Sequence, residues 1–230
     1  MVRKDRGAAA PGVYERTFLA DGEKILSVRI TYPLAGWDCE NRGLKRIEKF
    51  YKKIFGSFQK YCQNRLRAEA EQDRKTCLEQ GIKFKPYHAS LCHSVTYYSD
   101  GILSIFYDRR EEKDSTQRFL ARYSETWHTR SGKLFEMKDF FGGGRHWKKD
   151  VIAAVSAAAE YAVAEGNDVL YPDYAKLIPK YFSARRFYLT SRGVAVFFQP
   201  CTLGPPEEGV PVFEIPLTEP VTDEEEETIL

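Results

Sequence analysis

Basic residues gather in one stretch of the chain. Between Arg42 and Arg67 there are nine lysines and arginines and one acidic residue, Glu48. Such side chains bind carboxylates and phosphates, so a cluster of them can hold an anionic partner without covalent chemistry. If the stretch is helical, at about 100° per residue, five of the nine fall within a sector of roughly 60°. These five are Arg42, Arg46, Lys49, Lys53 and Lys60.

Two interpretations of this basic sector remain open. It is either a solvated helix face, as charge runs usually are, or a surface for nucleic acid, an acidic protein or another anionic polymer. Aromatic residues lie on the opposite side of the helix, which argues against stacking on nucleic-acid bases. Contacts to phosphates would need no aromatic residue.

Side chains that could catalyse a reaction are few and scattered. The chain has four histidines and none of the motifs G-x-S-x-G, H-E-x-x-H or G-x-x-x-x-G-K-[ST]. The nearest grouping is His88, Cys92 and His93, but adjacent residues of a strand point to opposite faces and do not readily share a ligand set. We therefore predict no catalytic residue, no metal site, no cofactor and no enzymatic activity.

A second anion site is conceivable around Arg145. The run Gly142-Gly143-Gly144 precedes Arg145 and a predicted helix, and helix N-termini offer backbone N–H groups to anions. The spacing lacks the Lys-Ser/Thr of a nucleotide-binding loop. The alternative is a flexible turn that connects two halves of the chain.

Composition places the chain among folded globular proteins. It has 230 residues, 43% of them hydrophobic, and a formal net charge of +2. We find neither an apolar run of about 18 to 20 residues nor a signal-peptide core, so we predict no membrane insertion and a cytoplasmic location as the chain is written. A missing N-terminal anchor would make it extracytoplasmic. The five cysteines are an odd, widely spaced set, which predicts reduced thiols.

Hydrophobic periodicity predicts the N-terminal elements. Residues 24–32 alternate as a strand, residues 43–78 have the apolar spacing of a long amphipathic helix, and Gly81 should end that helix. Residues 89–98 and 102–108 form a hairpin around Asp100-Gly101, and residues 117–127 form a third strand. The prediction is an antiparallel meander packed against one long N-terminal helix.

The C-terminal part combines short helices with strands. Helices are predicted at residues 147–164 and 174–182, and strands at 186–190, 194–199 and 212–216. We predict an α+β fold with an N-terminal half at residues 13–128 and a smaller half at 129–217. Residues 218–230 contain a run of four glutamates and are predicted to be a disordered tail, which could fold back on the basic sector.

Two segments resemble the RsiV-like ectodomain and PdaC-type domain-of-unknown-function family. Residues 127–141 (WHTRSGKLFEMKDFF) are similar to the signature tGk-x-l-x-l-x-Dlf. Residues 187–200 (FYLTSRGVAVFFQP), with GPPEEG at 204–209 and FEIP at 213–216, are similar to the closing motif fyltd-x-Gl-x-f-x-f. The resemblance spans most of residues 13–217.

The resemblance implies a fold in two halves and a role as an anti-sigma factor sensor-like domain. RsiV-like members bind lysozyme, so lysozyme becomes a possible partner. We therefore expect a noncatalytic ligand- or protein-binding domain. The alternatives are a regulatory or nucleic-acid-associated protein that uses the basic sector, and a hydrolase of cell-wall glycan, which would need two carboxylates facing each other across a cleft. The oligomeric state stays open.

Overall fold

The computed structural model describes residues 12–34, 41–114, 116–166 and 169–217. Its strands are β1 (Gly12–Ala20), β2 (Glu23–Tyr32), β3 (Tyr87–Ser99), β4 (Ile102–Lys113), β5 (Thr116–His128), β6 (Lys133–Leu134), β7 (Phe187–Thr190), β8 (Gly193–Phe197) and β9 (Val212–Pro216). Its α-helices are α1 (Arg42–Tyr61), α2 (Arg67–Glu79), α3 (Trp147–Ala164) and α4 (Tyr174–Tyr181). None of the helices in these ranges is long and apolar enough to cross a membrane.

The chain divides into two compact units that are discontinuous in sequence. The first contains the described part of Met1–His93 together with Asp108–Phe119. The second contains Ser94–Tyr107 and the described part of Leu120–Leu230. Strands β3, β4 and β5 thus contribute residues to both units. The predicted boundary between residues 128 and 129 stays a prediction, and the predicted disordered tail at 218–230 lies outside the described residues.

A helix of 38 residues dominates the first unit. It consists of α1, a π-helical turn (Cys62–Leu66) and α2. The turn is closed by the Arg67 N–H, which donates to the Cys62 carbonyl. Apolar spacing explains the turn, because Phe58, Cys62, Leu66 and Ala70 are all buried and recur every fourth residue. In a regular α-helix, residues four apart are rotated by about 40° relative to each other, so the four side chains would move gradually off one face. One wider turn compensates for this rotation and keeps all four on the same face.

The end of α2 confirms the predicted helix stop. Gly81 has φ +68°, a left-handed conformation that glycine adopts without a side-chain clash. Its N–H donates to the Leu78 carbonyl at 3.2 Å, and the Ile82 N–H donates to the Cys77 carbonyl at 2.8 Å. These two bonds form a Schellman motif, which satisfies carbonyls that the helix leaves open.

Six strands form one sheet in the order β1-β2-β3-β4-β5-β6. Two of its turns carry Asp-Gly pairs with positive φ: Asp100 and Gly101 have φ +51° and +76°, and Asp21 and Gly22 have φ +50° and +79°. This conformation suits two-residue hairpin turns. The predicted hairpin at Asp100-Gly101 is therefore present, and a second hairpin joins β1 to β2.

The sheet differs from the predicted antiparallel meander in one respect. Strands β2 and β3 are parallel, with Leu26 opposite Tyr87 and Ile30 opposite Leu91. Parallel neighbours need a long crossover connection, and the 38-residue helix supplies it. The sheet is therefore mixed, and the predicted α+β class with one long N-terminal helix is confirmed.

The second unit has a sheet of its own. Strands β7, β8 and β9 pair antiparallel, and helices α3 and α4 pack with them around an apolar core. Buried side chains of this core include Val155 of α3, Ile178 of α4 and Val194 of β8. The unit also joins part of the six-stranded sheet by hydrogen bonds: the Ser104 hydroxyl accepts from the Leu189 N–H at 2.9 Å.

Gln199 contacts the outer edge of β5. Its side-chain amide donates to the Arg122 carbonyl at 2.6 Å and accepts from the Arg122 N–H at 3.1 Å. The last strand of the sheet, β6, pairs with β5 only at Trp127 and His128. The Gln199 side chain therefore bonds to β5 as the backbone of a neighbouring strand would.

Candidate functional site

The five predicted basic residues lie on one exposed face of α1. The side chains of Arg42, Arg46, Lys49, Lys53 and Lys60 are all exposed, and we call them the basic stripe. The opposite face is buried and consists mainly of aliphatic and aromatic residues. At 1.5 Å of rise per residue the stripe extends for about 27 Å along the helix axis.

The start of α1 is fixed by Asn41. Its side-chain oxygen accepts from the backbone N–H groups of Gly43 and Leu44 at 2.6 and 3.1 Å. Asparagine is a favourable residue at this position because its oxygen satisfies N–H groups that the helix leaves open. The cap thereby holds the first member of the basic stripe, Arg42, in the first turn of the helix.

Most charges of the basic stripe have no partner among the described residues. The charged groups of Arg42, Lys49, Lys53 and Lys60 form no ion pair or hydrogen bond with any residue that the structure describes, whereas Arg46 does have an interaction partner. The acidic residue of α1, Glu48, forms an ion pair at 2.8 Å with Lys52, which lies outside the stripe. The stripe therefore keeps several charges available for a partner.

Several charged side chains of α2, unlike most of those in the basic stripe, form ion pairs. Arg67 pairs with Glu71 at 2.8 Å, and Asp73 pairs with Lys113 of β4 at 2.7 Å. Arg74 pairs with Asp21 and Glu23 at the turn of the β1–β2 hairpin, at 2.9 and 2.8 Å. The Arg67 pair lies within the helix, whereas those of Asp73 and Arg74 connect the helix to β4 and to the β1–β2 hairpin. Most charged side chains of the basic stripe lack such partners among the described residues.

Arg145 belongs to the second unit, while the basic stripe belongs to the first. Arg145 is exposed and follows Gly142 and Gly143, which have φ +68° and +60°. His146 precedes α3 and makes no side-chain cap. The glycine-rich segment is therefore a turn with left-handed residues, and the predicted anion site at Arg145 stays a prediction.

A polar cleft of about 370 Å³ lies on the sheet of the first unit. Alternation along β4 tells which face it occupies: Arg109 and Glu111 contact Tyr61 of the long helix, whereas Arg110 and Glu112 line the cleft. Neighbouring residues of a strand point to opposite faces, so the cleft lies on the face away from the helix. Its lining comes from β1 to β4 and comprises Glu15, Arg16, Thr17, Ser27, Val28, Arg29, His88, Ala89, Ser90, Arg110 and Glu112.

Some polar groups of the cleft are paired with each other. Ser27 and His88 are opposite in the parallel register, and the Ser27 hydroxyl lies 2.6 Å from His88 Nδ1. Arg29 forms an ion pair with Glu15 across the β1–β2 hairpin. These contacts fix the side chains that form one part of the cleft lining.

Two charged side chains of the cleft, Arg110 and Glu112, are not held by contacts of this kind. The guanidinium of Arg110 lies 3.9 Å from the Asp108 carboxylate, beyond hydrogen-bond distance. The carboxylate of Glu112 has no ion pair or hydrogen bond with a residue in the described ranges. Neither residue was predicted as a site residue, because the cleft is assembled by strand register and no local spacing indicates it.

His93 makes structural contacts. Its Nδ1 lies 2.8 Å from the Thr31 hydroxyl and 3.0 Å from the Thr31 carbonyl oxygen, and its backbone N–H donates to the same hydroxyl. Burial lowers the pKa of His93 below its ordinary value. Cys92 is half-buried, and no group of three or more His, Cys, Asp or Glu side chains in the described ranges could hold a metal ion.

A partly buried network joins β4 to the end of α1, next to the π-helical turn. The Arg109 guanidinium lies over the rings of Tyr61 and Phe58, at 4.5 and 5.3 Å from their centroids, and it bonds to Glu111. The Tyr61 hydroxyl donates to Glu111 at 3.2 Å. Burial and the nearby Glu111 carboxylate raise the pKa of Cys62 to about 12. A thiol this strongly protonated is a weak nucleophile, so the network is structural.

The fold can be compared with solved structures. No family model matches the sequence, and no curated protein matches it. A member of the DUF3298 family from Bacteroides fragilis matches with a TM-score of 0.65 and 14% identity, covering 91% of each chain. A DUF3298 family protein from Pseudomonas aeruginosa PAO1 matches with a TM-score of 0.54 and 14% identity, covering 90% of this chain and 88% of the other.

Structural matches at 14% sequence identity support a shared fold, but they do not support shared site residues. The two matches cover 91% and 90% of this chain, so they extend over both compact units. The chain therefore has the α+β fold of DUF3298 family proteins, the RsiV/PdaC-like domain family that its sequence signatures indicate.

Proposed function

We propose that this protein is a noncatalytic binding module whose basic stripe docks on an acidic surface of a partner protein. The observation that carries the proposal is the set of four exposed cations, Arg42, Lys49, Lys53 and Lys60, which have no partner among the described residues. Complementary charge accelerates association and selects partners, and it is most effective when the charges are not already neutralised within the protein.

Charge also restricts the identity of the partner. Lysozymes are usually basic, so electrostatic complementarity favours an acidic partner over the lysozyme that the family resemblance implies. A hydrolase is a weaker alternative. The cleft does contain two carboxylates, Glu15 and Glu112, but Glu15 is engaged in an ion pair with Arg29.

Binding to poly-L-glutamate tests the proposal. We expect fluorescence anisotropy to show binding at low salt that Lys49→Gln with Lys53→Gln weakens by roughly 5- to 30-fold, since each lost charge contact contributes up to about 1 kcal/mol. The matched control is Lys75→Gln with Lys83→Gln, two exposed lysines outside the stripe. Equal weakening in both double variants, or no binding at all, would contradict the proposal.

A nucleic acid is the second candidate, because exposed cations along a helix can also contact phosphates. A 20-base-pair DNA duplex distinguishes the two. If phosphates are the natural ligand, DNA should bind more tightly than poly-L-glutamate at physiological salt, and neutralising two stripe lysines should reduce the log–log salt slope by about 2. Stronger binding to poly-L-glutamate favours the acidic protein surface.

A further inference from the structure

We infer that the polar cleft on the sheet binds a small zwitterion, namely a free α-amino acid. This site is separate from the basic stripe: it lies on the sheet face opposite the long helix, and none of its lining residues belongs to α1. The inference therefore does not depend on the proposed function.

Two charged side chains of the cleft form no hydrogen bond with any described residue. Arg110 and Glu112 are two residues apart on β4 and line the same cleft, so their α-carbons are about 7 Å apart along the strand. They carry opposite charges, yet they form no ion pair with each other. The guanidinium has a carboxylate only at 3.9 Å, from Asp108, and Glu112 has no partner among the described residues. Arg110 therefore has only a long ion pair without a hydrogen bond, and Glu112 has no oppositely charged partner in the described ranges.

An α-amino acid would supply both missing groups. Its carboxylate matches the fork of N–H donors on Arg110, and its ammonium group can donate to Glu112. A simple anion would satisfy Arg110 and leave Glu112 unpaired, and a simple cation would do the reverse. The combination of free charges thus favours a ligand that carries both signs on neighbouring atoms.

The remainder of the cleft suits a small polar molecule. Its volume of about 370 Å³ is within the range of small-molecule sites. The Ser27–His88 pair supplies hydrogen-bonding groups beside the two charged side chains, whereas Val28 and Ala89 are buried and reach the cleft only with their backbone. Phe, Tyr and Trp do not occur in the lining, and the imidazole of His88 is bonded to Ser27, so the cleft offers little stacking surface for a sugar or a base.

Titration calorimetry or NMR shift mapping of the full chain with each of the twenty amino acids tests the inference. Acetate and methylammonium, which carry one charge each, serve as reference probes. At least one amino acid should bind about tenfold more tightly than both references, with shifts at residues of β2 to β4. If no amino acid binds more tightly than acetate, the inference is overturned.

Variants locate the site. Arg110→Gln and Glu112→Gln should each weaken amino-acid binding by about tenfold, because each removes one of the two charge contacts. Lys24→Gln removes an exposed charge of β2 outside the cleft and should leave the affinity unchanged. Equal effects of all three variants would also overturn the inference. Poly-L-glutamate binding through the basic stripe is measured separately, and its loss has no bearing on this result.

Discussion

At two positions of the second unit only a hydrogen atom fits on the α-carbon. A Cβ on Gly193 would lie 2.1 Å from the Ile215 carbonyl oxygen, and a Cβ on Gly204 would lie 2.3 Å from the Val169 carbonyl oxygen. Gly193 also has φ +150°, which side chains disfavour. Both glycines lie in the segments that resemble the family motif, so close backbone approach accounts for these motif positions without any reference to a ligand.

Gly204→Ala should destabilise the protein by about 1 to 3 kcal/mol, because the added methyl group forces the backbone near Val169 to move. Urea unfolding measures the loss. Gly144→Ala is the matched control, since a Cβ there meets nothing within 4 Å, and it should change the free energy of unfolding by less than about 0.5 kcal/mol. Equal stability of the two variants would show that the close approach is not maintained in solution.

His93 should make stability depend on pH. Burial lowers its pKa in the folded state below 6.5, so the unfolded chain takes up a proton first as the pH falls. The stabilisation is fully present above pH 6.5 and is lost as the pH falls from 6.5 towards the folded-state pKa. The slope reaches at most about 1.4 kcal/mol per pH unit for one proton.

Replacement of the His93 imidazole tests whether this residue causes the pH dependence of stability. In His93→Gln the free energy of unfolding should depend less on pH below 6.5 than in the unsubstituted protein. His146→Gln removes an exposed histidine and should keep the original slope. If the two variants have the same pH profile, the titration of His93 does not control stability in this range.

Among the elements, the π-helical turn has the most specific consequence. It holds one more residue than an α-helical turn would, so deleting an exposed residue within it should convert the segment to a regular α-helix. Without Asn64, the buried residues Phe58, Cys62, Leu66 and Ala70 follow one another at spacings of four, three and four. An α-helix places residues with these spacings on one face.

We therefore expect the Asn64 deletion to fold with a free energy of unfolding within about 2 kcal/mol of the original. Deleting Lys52 from α1 is the control, because it rotates Phe55 and Phe58 by about 100° away from the buried face and should prevent folding. Circular dichroism and urea unfolding distinguish the two. An unfolded Asn64 deletion would mean that the π turn itself is required.

Strong periodicity made most elements predictable. The 3.6-residue pattern predicted the long helix and therefore the face that carries the basic stripe, and the Asp100-Gly101 pair predicted its hairpin. Strand β1 was not predicted, although Asp21-Gly22 carries the same signal. Phe18 is the only buried side chain of β1, and an edge strand exposed on both faces has no alternating pattern.

At the scale of the whole molecule, the formal net charge is only +2, so it does not reveal the local cluster of positive charge in the basic stripe. Lys49→Glu with Lys53→Glu and Lys75→Glu with Lys83→Glu lower the net charge equally. We expect the first double variant to elute from a cation-exchange column at clearly lower salt than the second, because neighbouring cations act together within a Debye length of about 10 Å. Identical elution would mean that the stripe has no local field of its own.

The polar cleft shows where prediction from sequence ends. Its residues come from four strands, and Glu15 and Glu112 are almost a hundred positions apart. Only the parallel register of β2 and β3 places Ser27 beside His88, and the periodicity of residues 24–32 predicts a strand without its neighbour in the sheet. A site on one helix can be predicted from periodicity alone, whereas a site across a sheet requires the strand order.

The Gln199 side chain has a consequence for the behaviour of many copies in solution. Unpaired N–H and C=O groups at a sheet edge can template the addition of a strand from another molecule, which leads to aggregation. By bonding both groups of Arg122, Gln199 closes that position of β5 without a further strand. One amide group thus interrupts the row of open hydrogen-bonding groups along which a second copy would have to align.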